Sequence, residues 1–364
     1  MRPILAVVIA VSAPWAVPAV AQQILEADPE AGRVLIDGPF RAISPAPEKV
    51  GISEDTRTLY LHDWEEQEGV MAFSFDTGEW VRTVLIRRGD GPSELQWITS
   101  IIPASDGGVY VSGGERVLEF DSLGGLERDW SVHDLTGRNV CEMDGRPAVI
   151  SEAGHLVRRG ASGEDEVIGK WSLGTTLMAA YFRTLLACSD GTAYVMTVPE
   201  SAPIGSFSVL RQGRPVGELE TGLFREEPER WLRSGFLTYG DSRGNIVVVS
   251  PDNQAWGGVI DPRTGCYAVL RNTGRSRFGE FAGIYADSAV VLHRDYEEFR
   301  DGRRTVVRVY DVAARVSLVP FRRTSGNPCP GMFPSLDEAT VPPGHGNSHG
   351  PRQRLAPAPS TGLR

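Results

Sequence analysis

The sequence predicts an all-β fold, a six-bladed β-propeller of four-stranded antiparallel blades. Three observations carry that expectation. Short runs rich in Val, Ile, Leu and Tyr recur with alternating or continuous apolar character, the mark of strands covered on one or both faces. The chain holds 41 Gly and 25 Pro, and Asp-Gly or paired Gly residues punctuate the runs where tight hairpins need positive φ. The runs also group into units repeating about every 40 to 50 residues, the period of one blade. A β-sandwich would need fewer comparable units.

In chain order, the first unit starts near Lys49 with VGISEDTRTLYLH and continues through VMAFSFDTGEWVRTVLI. The second, Ile98 to Val132, is the clearest: strand ITSIIPA, turn SDGG, strands VYVSGG and RVLEFD, turn SLGG and strand LERDWSV. The third begins at Asn139 (VCEMDGRPAVIS) and the fourth at Thr184 (LLACSDGTAYVM). The fifth, Phe236 to Leu270, repeats the same order as FLTYG, DSRG, NIVVVS, GGVID, PRTG and CYAVL. The sixth starts at Phe281 (FAGIYADSAVVLH) and runs through VVRVYD to VSLVPF. Whether RVLIDG, Arg33 to Gly38, helps to close the ring stays open at this level.

The ends differ from the repeats. Residues 1–21 read as a signal peptide: Arg2, an apolar run from Ile4 to Val11, then Ala19-Val20-Ala21 before Gln22. Pro14 and Pro18 interrupt that run, whereas a bilayer span needs roughly 18 or more unbroken apolar residues. The propeller is assigned to residues 22–338, with a short N-terminal lead strand. Residues 339–364 form a Pro/Gly-rich tail without the apolar content to offset ordering entropy, and are expected to be disordered. His345 and His349 lie there and are read as tail, not as ligands. The expected product is a secreted or periplasmic monomer with no membrane span after cleavage.

The net charge of -10 argues against a nucleic-acid partner, which needs clustered positive charge. Cys141, Cys188, Cys266 and Cys329 lie in the exported part, where oxidation is permitted, and allow three pairings. Their spacing holds no CxxC, which argues against zinc.

The stretch LIRRGDGPSEL, Leu85 to Leu95, followed by DGGVYVSGG and RVLEFDSLGGL, resembles bacterial six-bladed propeller proteins related to NHL repeats. That family often shows G-x-G-P-G-E-F between blades; here Ser93 stands in place of Gly and Leu95 in place of Phe. GRSRFGEF, Gly274 to Phe281, is a weaker copy, and REEPERW occupies a comparable place. The resemblance implies fold rather than function. Arg87, Arg88 and Asp90 invite a functional reading, but recurrence favours structure for Gly89, Gly91, Pro92, Glu94, Gly279 and Glu280. The carboxylates would accept backbone N–H groups or pair with an Arg.

Loop lengths sort the molecule into two ends. The tight turns share one, while GDGPSEL, HDWEEQEG, VPESAPIG, PDNQAWG and HRDYEEFRDGRR share the other, the expected binding face. Its candidate ligand-binding residues are His62, Asp63, Trp64, Glu65, Trp256, His293, Asp295, Tyr296 and Glu297, with Trp64, Trp256 and Tyr296 as exposed anchors. The expected partner is an envelope or extracellular protein, peptide or glycan, bound without catalysis.

The alternative is a metal-dependent, lactonase-like hydrolase or lyase. Some six-bladed propellers hold a divalent cation in the channel with Glu, Asn and Asp, and Glu48, Asn139 and Asn272 are the nearest candidates for calcium or another such ion. No G-x-S-x-G, Walker, H-E-x-x-H or dinucleotide motif is present. No catalytic residue and no cofactor are assigned.

Overall fold

A computed structural model describes residues 22–37, 49–63, 69–132, 135–151, 155–170, 184–197, 206–212, 214–225, 237–250, 256–274, 279–301, 304–334 and 336. Two strands precede the ring, β1 (Gln22–Ala27) and β2 (Arg33–Asp37). Blade 1 is β3 (Val50–Ser53), β4 (Thr58–Asp63), β5 (Gly69–Ser74) and β6 (Trp80–Leu85). A short parallel pair, β7 (Arg87–Arg88) and β8 (Glu94–Leu95), links it to blade 2. Blade 2 is β9 (Ser100–Pro103), β10 (Val109–Gly113), β11 (Arg116–Phe120) and β12 (Leu126–Ser131). Blade 3 is β13 (Leu135–Met143), β14 (Arg146–Ser151), β15 (His155–Arg159) and β16 (Asp165–Lys170).

Blade 4 is β17 (Thr184–Ser189), β18 (Thr192–Thr197), β19 (Ser206–Arg211) and β20 (Arg214–Glu220). Blade 5 is β21 (Leu237–Gly240), β22 (Ile246–Val249), β23 (Gly257–Ile260) and β24 (Tyr267–Asn272). Blade 6 opens with β25 (Gly279–Tyr285), β26 (Ser288–Asp301) and β27 (Arg304–Pro320), and β28 (Arg322–Gly326) follows it. The first strand of each blade faces the axis. β3 packs on β9, β9 on β13, β13 on β17 and β17 on β21, while β25 touches blade 5 through β22 and returns to β3.

The continuous apolar runs follow from this arrangement, because each sheet is covered on both faces by neighbouring blades. All four residues of β22 are buried. Each blade-to-blade interface holds its own apolar cluster. Tyr60, Val70 and Val109 fill the first, Tyr110, Trp130 and Val149 the second, and Phe281, Trp256 and Val291 the fifth.

The sixth blade departs from its repeat. VVRVYD and VSLVP are not separate strands but parts of β27, since VAAR between them holds no Gly or Pro to break it. β26 pairs with β27 over their length, so HRDYEEFRDGRR extends a hairpin where a loop was expected. The fourth position falls to β2, with Val34 opposite Ser317 and Ile36 opposite Val316. RVLID, Arg33–Asp37, therefore closes the ring.

Blade 5 is extended as well. β1 runs parallel to β24, with Leu25 opposite Leu270, and β28 runs antiparallel to β1. The buried Gln23 accepts from Arg323 Nε at 3.0 Å. The two N-terminal strands thus bind the outer edges of blades 5 and 6. Of the three possible cysteine pairings the structure forms Cys141–Cys188, between the innermost strands of blades 3 and 4, and Cys266–Cys329, between blade 5 and the segment after β28. Among the described residues no helix is long and apolar enough to cross a membrane.

Candidate functional site

The turns between first and second strands bring acidic residues to one end of the channel, because Asp and Glu there satisfy turn N–H groups or reach the next blade. Between them lies a cavity of about 370 Å³. Its walls are apolar, with Ile52, Ile101, Leu237 and Ile284, and six carboxylates line it: Glu54, Asp55, Glu142, Asp144, Asp190 and Asp241. Among the described residues no Lys, Arg or His side chain lines it. The cavity opens on the tight-turn end, opposite the long connections where a binding face was expected.

Two of these acids, Glu54 and Glu142, tie neighbouring blades together, and two more, Asp144 and Asp241, are held within their own blades. Glu54 of blade 1 accepts from Ala286 N at 2.8 Å in blade 6 and from Ser242 Oγ at 2.5 Å in blade 5. Arg243 stands 3.7 Å from Glu54 and 2.9 Å from Asp287, which joins the same three blades. Glu142 of blade 3 accepts from Ser105 N at 2.7 Å and Ser105 Oγ at 2.5 Å in blade 2. Asp144 is held by Arg158 at 2.7 Å. Asp241 accepts from Arg243 N, Asn245 N and Asn245 Nδ2, and burial raises its carboxyl above the usual range.

Tyr239 closes the wall between blades 5 and 6. Its hydroxyl accepts from Ile284 N at 3.0 Å where β25 bulges, and burial pushes the phenol up. A Cβ at Gly283 would fall 2.5 Å from that oxygen and 2.6 Å from Ile52 Cδ1, so only glycine fits. Asp55 and Asp190 are exposed at the rim. The result is a rigid, apolar-walled bowl with a negative rim, in a geometry that focuses field on an approaching cation. Among the described residues no group of three or more His, Cys, Asp or Glu side chains is placed to hold a metal ion.

The residues expected on the long-loop face are distributed differently. Trp256 is fully buried, stacked on Phe281 with centroids 5.3 Å apart, and is core where an exposed anchor was expected. Its burial comes from β25, which the neighbouring blade lays against it. His62 sits opposite Val70 and His293 opposite Gly279, both buried on adjacent blades. Burial lowers each imidazole to about 4, helped by Lys49 at His62 and by Arg315 at His293. Both are therefore neutral near pH 7.

Asp63 ends β4, and Asp295, Tyr296 and Glu297 lie on the β26–β27 ladder, with Tyr296 opposite Val309 and Glu297 opposite Arg308. Their side chains, together with Trp64, Glu65 and Glu48, lie outside the described residues. Asn139 lies on β13 with its side chain equally undescribed. Asn272 ends β24, the fourth strand of blade 5, and its Oδ1 accepts from Gly274 N at 2.8 Å, so it does not face the channel.

The interblade link is a clamp. Glu94 Oε2 accepts from Gly91 N at 2.9 Å, and Gly89 N donates to Leu95 O at 3.1 Å. A Cβ at Gly89 or Gly91 would fall 2.2 or 2.8 Å from that carboxylate oxygen. Arg116 of blade 2 donates to the carbonyls of Asp90, Gly91 and Glu94 and pairs with Asp129, which accepts from Ser93 N at 3.1 Å. Ser93 has φ 65°, in the left-handed region that favours glycine. Glu280 differs from Glu94: it lies inside the innermost strand β25 and pairs with Arg294.

No family model matches the chain, and no curated protein matches it. Among solved structures it is similar to a gluconolactonase from Xanthomonas campestris, at 13% identity and a TM-score of 0.46, over 79% of this chain and 89% of that one. It is similar to a regucalcin from Agrobacterium tumefaciens, described as a calcium-binding protein, at 14% identity and 0.42, over 83% and 96%. It is also similar to BamB from Moraxella catarrhalis, at 12% and 0.37, over 77% and 85%. At such identities nothing about activity passes from those proteins to this chain, a six-bladed propeller with its cavity at the tight-turn end of the channel.

Proposed function

We propose that this chain is a non-catalytic binding propeller of an oxidising compartment outside the cytoplasm. Its channel mouth takes a cationic group carried on an apolar arm, the side chain of a lysine or arginine in a peptide or protein partner. The observation behind this reading is the bowl itself: about 370 Å³, apolar walls, six carboxylates and no cationic lining among the described residues. An ammonium or guanidinium fits the rim while its methylene stem covers Ile52 and Leu237. The leader-like N-terminus and the two disulfides support the compartment.

Most acceptor positions on Glu54, Glu142 and Asp241 are already engaged by turn and interblade donors, which suits fixed recognition better than proton transfer. Rim recognition then rests on Asp55 and Asp190, whose replacement spares the ring.

Calorimetric titration with a short peptide carrying one arginine, and with its neutral citrulline counterpart, tests the reading. The arginine peptide is expected to bind the unaltered chain, the citrulline peptide far more weakly. D55N/D190N should weaken binding about 3- to 10-fold, the effect of two exposed charge pairs, and raised salt should weaken it further. Equal binding of both peptides, or none, overturns the proposal. Stabilisation by calcium alone, with turnover of a lactone, would favour a channel-cation enzyme instead.

A further inference from the structure

We infer that the mouth has an occupant within this same chain, the segment of residues 339–364, which competes with outside ligands. The inference rests on the cationic-ligand reading of the cavity and deepens it.

The path of the chain brings that segment to the rim. After β28, Cys329 is bound to Cys266 beside the tight turns of blade 5, and Met332 and Phe333 are buried in the core between blades 5 and 6. The Met332 carbonyl accepts from Arg243 Nη1 at 2.8 Å, and Nε of the same guanidinium stands 3.7 Å from Glu54, a cavity-lining carboxylate. Leu336 packs on the same core. The chain therefore leaves the ring at the tight-turn end, one arginine away from the bowl.

The C-terminal segment complements the bowl in charge and character. Residues 339–364 contain Arg352, Arg354 and Arg364 and no Asp or Glu beyond Glu338, in a chain whose net charge is -10. Leu355 follows Arg354, so a guanidinium and an apolar side chain arrive together, as the carboxylate rim and isoleucine walls require. A Gly/Pro-rich connection as long as residues 337–352 reaches on the order of 20 Å, ample for a rim this near. Tethering supplies an effective concentration of about a millimolar, enough for a weak contact to be populated without shutting the site permanently.

Two measurements on the full chain test this. In the first, the arginine peptide is titrated into the unaltered chain and into R352A/R354A/R364A. The variant should bind about 3- to 10-fold tighter at low salt, with the difference vanishing near 0.5 M salt, where screening is short-ranged. In the second, full-length R354K is treated with a zero-length carbodiimide and digested. An intramolecular link from the introduced lysine to Asp55, Asp144 or Asp190 is expected.

Equal peptide affinity in both chains, with no such link, overturns the tail inference while leaving the site reading intact. Failure of the peptide to bind either chain, with R354K unlinked to the rim, overturns both.

Discussion

His62 and His293 occupy equivalent positions on the second strands of adjacent blades, and each is buried with its imidazole lowered to about 4. Unfolded imidazoles titrate near 6.5, so below that value the unfolded chain takes up protons the folded one refuses. Stability is therefore full above pH 6.5 and falls as the pH drops towards 4, by roughly 3 kcal/mol for each histidine. Urea melts of the unaltered chain between pH 7 and 4 should show this loss, and H62Q should flatten it. An unchanged slope in H62Q would place the acid sensitivity elsewhere. At this scale the sequence was least legible. Trp256 follows the polar stretch PDNQ and reads as exposed, yet Phe281 of the next blade stacks on it. Burial between blades depends on a strand that arrives later in the chain, which no local pattern records.

Strands and turns were far more legible, because each blade repeats one arrangement of apolar runs and turn residues. The units at Ile98 to Val132 and Phe236 to Leu270 are β9–β12 and β21–β24 in order. What could not be read was which strands the ends supply. VSLVPF has every property of a fourth strand, but without a turn before it the chain continues as β27 and β2 takes the outer place. Two anchors of this closure, Leu25 and Ile36, are 0% and 3% exposed. Replacing either by alanine should cost about 2–4 kcal/mol, the usual range for a truncated buried aliphatic, in chemical denaturation. A loss below about 0.5 kcal/mol at both positions would mean that the N-terminal strands are ornamental to ring closure.

For the whole molecule, loop length pointed to one end of the channel and the cavity lies at the other. The residues responsible were visible in the sequence as turn signals: SEDT, MDGR, SDGT and GDSRG each carry an acid that a hairpin explains unaided. Only closure of the ring sets Glu54, Asp144, Asp190 and Asp241 around one opening, turning local turn chemistry into a shared negative rim. Binding there should depend on ionic strength and on Asp55 and Asp190, and not on the buried histidines or Trp256.

Hydrogen–deuterium exchange of the full chain with and without the arginine peptide tests that claim most directly. Slowed exchange is predicted in the turns that follow β3, β17 and β21, with the β4–β5 and β26–β27 connections unaffected. Protection confined to those long connections would contradict it.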